Sequence, residues 1–383
     1  MQALKFHITQ DDLSRFAGHG PAFVTLGETM LRETPADQQR PENTRQVYLA
    51  LAGSEYSIAT LLSRLGMPSA YVSRVPDNPY GWMLRDTGRA NGLNMDYLVW
   101  APRTETVGRY LYEQGHTPRP GVVWYQRMFS AASRLDRGMV DWAAALRACK
   151  LLHASGITFG LAAHSGYQRN YLLDAFDDAL AHKPADCLVG FDFNYRSTLW
   201  SEDDCRAVLT PLIEQHVDLL ITSLYDMAQH YGIGCGRYSA QEIGSGAFDE
   251  LEDSDLQAFG AEVIQRFGLR LVAITLRHAD SAEEHRWEAA AITQAGDFFR
   301  SPLPRPVRLV ERLGAGDAWN AGFYYGLLTA GVNAQGIEKG VLVGDAATRL
   351  KQTIMFDLPL LNAGEIEALM QSDLVGGGAR TLR

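Results

Sequence analysis

Four short apolar runs, KLLHASGI (150–157), CLVGFDFN (187–194), VDLLITS (217–223) and LRLVAITL (269–276), recur with helical patterns such as QRNYLLDAFDDALAHK between most of them. Each reads as a compact apolar strand, as strands covered from both sides do. Alternation of such strands with amphipathic helices leaves few architectures. It predicts a mainly parallel sheet with helices on both faces, and a ligand site beyond the carboxyl ends of the strands. AFVTLGE (22–28) and SAYVSRV (69–75) read as two further strands. GSEYSIATLLSRLG (53–66) and YGWMLRDTGRANG (80–92) read as helices, the first stopped by Gly66 and Pro68.

One stretch breaks the pattern. TVGRYLYEQ and GVVWYQRM alternate and are rich in aromatic and β-branched residues, with GHTPRP between them. That predicts a hairpin, and so a small β-sheet projecting from the main body. The organisation expected is an N-terminal extension over 1–21, one domain over 22–370 with a lid from about 29–52 and 104–130, and a frayed tail over 371–383. GIGCGRYSAQEIGSGAFDE (232–250) reads as a Gly-rich loop insertion. Lys plus Arg number 35 against 45 Asp plus Glu, a formal charge of −10, and no basic run stands out. Such a surface argues against nucleic acid or an anionic membrane as partner. Cys149, Cys187, Cys205 and Cys235 form no CxxC pair and lack zinc spacing, which fits a reducing cytoplasm. The N-terminus has no apolar core of the kind a signal peptide needs, and no membrane span is expected.

The chemistry concentrates in ERLGAGDAWNAGFYYGLL, residues 311–328. Gly314, Ala315 and Gly316 stand at the mouth of a helix with little or no side chain. A helix mouth carries unpartnered N–H groups and partial positive charge, so an anion can approach closely there. Asp317 reads in two ways: as the N-cap of that helix, or as a base that accepts the proton of an attacking hydroxyl. The motif is neither GxGxxG nor GxxxxGK[ST].

On these residues the chain resembles the PfkB, or ribokinase-like, carbohydrate kinases. AFVTLGE, AGSEYSIATLLSRLG and SRVPDNPYG resemble the family's early segments, and FDFNYRSTLW, TVGRYLYEQ and VVWYQRMFSAAS resemble its 2-keto-3-deoxygluconate kinase branch. The resemblance spans roughly residues 22–370. It implies a three-layer α/β/α fold with a β-sheet lid, and ATP with Mg²⁺ as phosphoryl donor. It also implies Asp317 as catalytic base and the Gly314, Ala315 and Gly316 backbone as anion hole. For a sugar acid it implies substrate contacts from Gly53, Tyr110, Tyr125, Arg127 and Arg196, since Arg holds a carboxylate through paired hydrogen bonds. Read without the resemblance, both arginines suit surface ion pairs and both tyrosines suit hairpin packing.

For the nucleotide, the resemblance implies Asn194, Ser223, Thr275 and Arg277 beside Gly314 and Gly316, and for the metal Asp226 through water. Asn194 also suits a strand-ending turn, and Asp226 a solvated helix start. Three segments depart from the family pattern: Ser223 and Asp226 stand where N-x-x-E is usual, LRHADSAEEHRW lacks the usual glycine turn, and Ser57 replaces an asparagine. The reaction expected is ATP-dependent phosphorylation of 2-keto-3-deoxygluconate. Its galactonate epimer, a neutral sugar (fructose or ribose), and a catalytically silent sugar-binding regulator are the alternatives. The edge and apolar faces of the lid strands suggest pairing of two subunits.

Overall fold

A computed structural model describes residues 4–248, 250–279, 281–302 and 304–375. In chain order the strands are β1 (Phe23–Leu26), β2 (Met30–Pro35), β3 (Val47–Ala52), β4 (Ser69–Val72), β5 (Arg74–Pro76), β6 (Val99–Ala101), β7 (Arg109–Glu113) and β8 (Val122–Gln126). There follow β9 (Leu151–Ser155), β10 (Leu188–Asp192), β11 (Leu219–Thr222), β12 (Leu271–Ala279), β13 (Glu284–Thr293), β14 (Phe298–Arg300) and β15 (Pro306–Arg308). The central sheet runs β14-β13-β12-β11-β10-β9-β1-β4, with β15 also on β13. From β4 to β12 every pairing is parallel; β13 turns back antiparallel along β12.

Two apolar cores, one on each face of the sheet, give the expected three-layer α/β/α arrangement. One face carries helix Ala315–Ala330 and helix Ala334–Lys351, which approach until a Cβ on Gly326 would stand 2.2 Å from Gly340 N. Only glycine permits that spacing, and it fixes where the mouth of the first helix points.

The lid is a separate sheet of order β3-β2-β7-β8. Its register places Ala50, Arg32, Tyr110 and Tyr125 in one row across the four strands, and Leu49, Glu33, Leu111 and Trp124 in the next. Adjacent rows face opposite ways in a pleated sheet. The first row turns towards the body, where Arg32 and Tyr110 are buried.

Some expectations change. The 232–250 stretch is not all loop: Ala240–Ser245 is a helix with a complete Ser239/Glu242 capping box. Residues 371–375 belong to helix Ala363–Val375 rather than to a tail, and the remainder of the expected tail lies outside the described residues. Of the N-terminal extension, Phe6, Leu13 and Phe16 are buried, and Asp12 accepts from Lys339 at 2.8 Å.

Candidate active site

Residue 314 begins the helix in the left-handed region, φ +78°, and a Cβ there would lie 2.1 Å from Asp357 O, so glycine is required twice over. The first helical bond is Ala318 N to Gly314 O at 3.0 Å. The amides of Ala315, Gly316 and Asp317 therefore precede the ladder and point out of the helix end. A Cβ on Gly316 would meet only Trp287, at 3.9 Å, so the space before these amides is open.

Asp317 is not the N-cap. Gly314 holds that position, and the Asp317 carboxylate instead accepts a hydrogen bond from Ser54 Oγ at 2.6 Å on Oδ1. Oδ2 has no protein donor among the described residues. Burial pushes this carboxyl up to about 6; the Ser54 bond pulls it back, Glu55 and Asp357 raise it, and Arg196 lowers it. One turn along the same helix, Asn320 Nδ2 donates to Asp192 Oδ2 at 2.8 Å. Asp192, at the end of β10, is raised to about 7, chiefly by burial. This edge of the sheet thus gathers an amide cluster and a carboxyl group poised between its protonated and ionised forms.

On β12, Thr275 and Arg277 pair with Ala289 and Trp287, and cross-strand partners share a face. Trp287 stands against Gly316, so Thr275 and Arg277 lie on the side of the helix mouth. Partial desolvation of a side chain that still reaches solvent, with the neighbouring Arg312 and Arg196, holds the Arg277 guanidinium below its ordinary value, as expected where cations gather. Arg196 is exposed and donates to Tyr195 O at 2.9 Å; its charge reaches Asp317, Asp226 and Asp192. Asn194 adopts φ +39° just after β10. Ser223 caps helix Leu224–Tyr231, accepting from Asp226 N and donating to Asp226 Oδ2 at 2.7 Å. Among the described residues no three His, Cys, Asp or Glu side chains cluster to hold a metal ion. The single Asp226 carboxylate fits an ion held mainly by phosphates and water.

Two lid residues lie elsewhere than as open substrate contacts. Arg127 is buried and bound by Glu28, with Nε and Nη2 at 2.7 and 2.6 Å from Oε2. Ser130 also bonds Glu28. Tyr110 is buried and donates its hydroxyl to Asp357 Oδ1 at 2.8 Å. Tyr125 is 37% exposed beside it, ring centroids 5.7 Å apart. Gly53 sits where a Cβ would strike Glu28 O at 2.5 Å, at the start of helix Ser54–Arg64.

Sequence reading missed Ser54, Arg32, Glu311, Lys351 and Asp357. Ser54 is 263 residues from its partner, and no local spacing signals such a contact. Glu311 stands beside GAGD in the sequence, but its partner Arg32 comes from lid strand β2, near the other end of the chain.

Amides at a helix mouth beside a buried carboxylate can receive a phosphate group, and comparison with known proteins shows the class to which the chain belongs. Residues 22–359 match the model of the pfkB family carbohydrate kinases. The chain is 29% identical over 355 residues to a 2-dehydro-3-deoxygalactonokinase of Haloferax volcanii, covering 92% of this chain and 98% of that protein. It is 23% identical over 364 residues to a 5-dehydro-2-deoxygluconokinase of Geobacillus kaustophilus, covering 94% and 96%. The crystal structure of a 2-dehydro-3-deoxygluconokinase from Thermotoga maritima superposes with a TM-score of 0.78 at 30% identity, covering 92% of this chain and 99% of that one. The chain belongs to the PfkB family of carbohydrate kinases and is a sugar kinase.

Proposed function

We propose that this kinase transfers the γ-phosphoryl group of ATP to the primary hydroxyl of a 2-keto-3-deoxy sugar acid, 2-keto-3-deoxygluconate or its galactonate epimer. The observation that carries the reading is the pairing of three free helix-mouth amides with a carboxylate whose one oxygen is steadied by Ser54 while the other stays open. The names of the relatives and their length-wide similarity support the substrate class.

In this mechanism Oδ2 of Asp317 takes the proton of the sugar hydroxyl as its oxygen bonds to phosphorus. The bond from phosphorus to the bridging oxygen breaks and ADP leaves. The amides of Ala315, Gly316 and Asp317 meet the charge on the equatorial oxygens, a contribution of about 3 to 4 kcal/mol per donor in comparable sites. Asp226, through water, would help hold Mg²⁺, which would supply positive charge to offset that of the phosphates. Arg277 and Arg312 extend the positive field towards the rest of the nucleotide, and Asn194, Thr275 and the Ser223/Asp226 cap border it. Arg196 holds the sugar carboxylate, because Glu28 already occupies Arg127. That occupation also favours the second reading, a neutral sugar.

ADP production over a panel containing both keto-deoxy epimers, fructose and ribose tests the proposal. Turnover on a keto-deoxy acid with kcat/KM at least tenfold above the neutral sugars is expected. Turnover on none of them would leave a silent sugar-binding protein as the reading. Val47, Leu49 and Trp124, each at least 42% exposed, lie on the outer side of the lid, and we propose that two copies meet there. A monomeric mass by light scattering would exclude it.

A further inference from the structure

Beneath the helix mouth lies a buried set of four charges outside the mechanism above. Arg32, on lid strand β2, binds Glu311 (Nη2 to Oε2, 2.5 Å) and Asp357 (Nη1 to Oδ1, 2.7 Å). Lys351, the last residue of helix Ala334–Lys351, is wholly buried, and its Nζ donates to Ile354 O at 3.4 Å. A Cβ on Gly314 would stand 3.1 Å from Lys351 Cε and 2.1 Å from Asp357 O. The ammonium stem and the Asp357 backbone therefore form the floor on which the first residue of the hole rests. The groups that bear on Lys351 are Glu311 from the segment before the hole, Asp357 from the loop after its own helix, Arg32 from the lid and Asp317 from the helix mouth. Tyr110, from β7, completes the shell through its bond to Asp357.

Two buried cations here balance two buried carboxylates. In a low-dielectric interior a charge acts over several ångströms with little screening. Without the ammonium, Glu311 and Asp357 would outnumber Arg32, leaving a surplus negative charge under a site that must receive a polyanion.

We propose that Lys351 is a positioning residue that keeps the floor of the anion hole electrically neutral, so that phosphate can settle on the Ala315–Asp317 amides while Arg32 ties that floor to the lid. The inference rests on the kinase reading and goes beyond it, in that it assigns a role to a side chain that touches neither substrate. Burial holds the Lys351 ammonium down, to about 8, with Glu311 and Asp357 opposing the fall, so its charge can be removed within a testable pH range.

The test uses the full chain with ATP, Mg²⁺ and the sugar acid that the wild type turns over, together with calorimetric ATP binding. Lys351→Met is expected to lose about 100-fold in kcat and to bind ATP at least about tenfold more weakly, with the sugar KM changed less than about threefold. Lys351→Met with Glu311→Gln, which restores neutrality, is expected to recover most of both losses. A double variant as impaired as the single one would overturn the proposal, because a role in packing alone is not rescued by a second, uncharging substitution. If Lys351→Met does not fold, wild type against Glu311→Gln decides. Glu311 supports the charged ammonium, so Glu311→Gln should move the alkaline limb of kcat to lower pH; an unmoved limb overturns the role. Loss of sugar phosphorylation in the wild type would count against the kinase reading alone, since ATP binding still reports the charge effect.

Discussion

The helix mouth and the lid are built differently. At the mouth the groups that matter are backbone amides and one carboxylate, set by four consecutive residues, Gly314 to Asp317. In the lid, two of the three expected side chains are engaged by distant acids, Arg127 by Glu28 and Tyr110 by Asp357. A site made of main chain is specified by local conformation. A site made of long side chains depends on which partners the tertiary fold delivers.

The sharpest way to break this contrast is at Gly314. Gly314→Ala must adopt positive φ and collides with a backbone carbonyl 2.1 Å away, so turnover should fall by at least about 100-fold and the melting temperature should drop. Gly316→Ala, which meets nothing nearer than 3.9 Å, should melt like the wild type and lose only phosphate affinity. Equal effects from the two would deny that the mouth is shaped by backbone. On the lid side, Arg127→Ala strands a buried Glu28 and is expected to cost about 3 to 5 kcal/mol in stability, read by denaturant unfolding. Arg196→Ala, on an exposed side chain, should leave stability unchanged and raise KM for the sugar acid by about tenfold. If Arg196→Ala destabilises and Arg127→Ala does not, the assignment of the two arginines is reversed.

The smallest expected effect is the shift of a pH limb. A carboxyl raised to about 6 is ionised above that pH and protonated below it, so kcat/KM should fall as the pH drops through about 6. Ser54→Ala removes the bond that favours the ionised form and should move this acid limb upward in pH. A limb that stays in place would show that Ser54 does not hold the base.

Much of this arrangement was legible because it is local. CLVGFDFN and LRLVAITL became β10 and β12, and GAGD before an apolar run became a helix opening on glycine. The antiparallel arm β13 escaped notice: its Ala289–Ala291 centre suits close helix packing but has no strand-specific side chain. Helix Ala240–Ser245 escaped beneath its glycines, although the Ser239 and Glu242 spacing of its capping box was there to read. The cap-or-base ambiguity at Asp317 could not be resolved locally, because the deciding partner, Ser54, arrives from the other end of the chain.

Single-turnover transfer of labelled phosphoryl from ATP to the keto-deoxy acid by Asp317→Asn, with ATP and sugar affinities measured on the same sample, bears most directly on the role of this carboxylate. Asn keeps the shape and the Ser54 contact but cannot take a proton, so the transfer rate should fall by at least about 100-fold while both affinities stay within about threefold of wild type. A transfer rate equal to that of the wild type would show that the proton leaves by another route and that Asp317 is not the base.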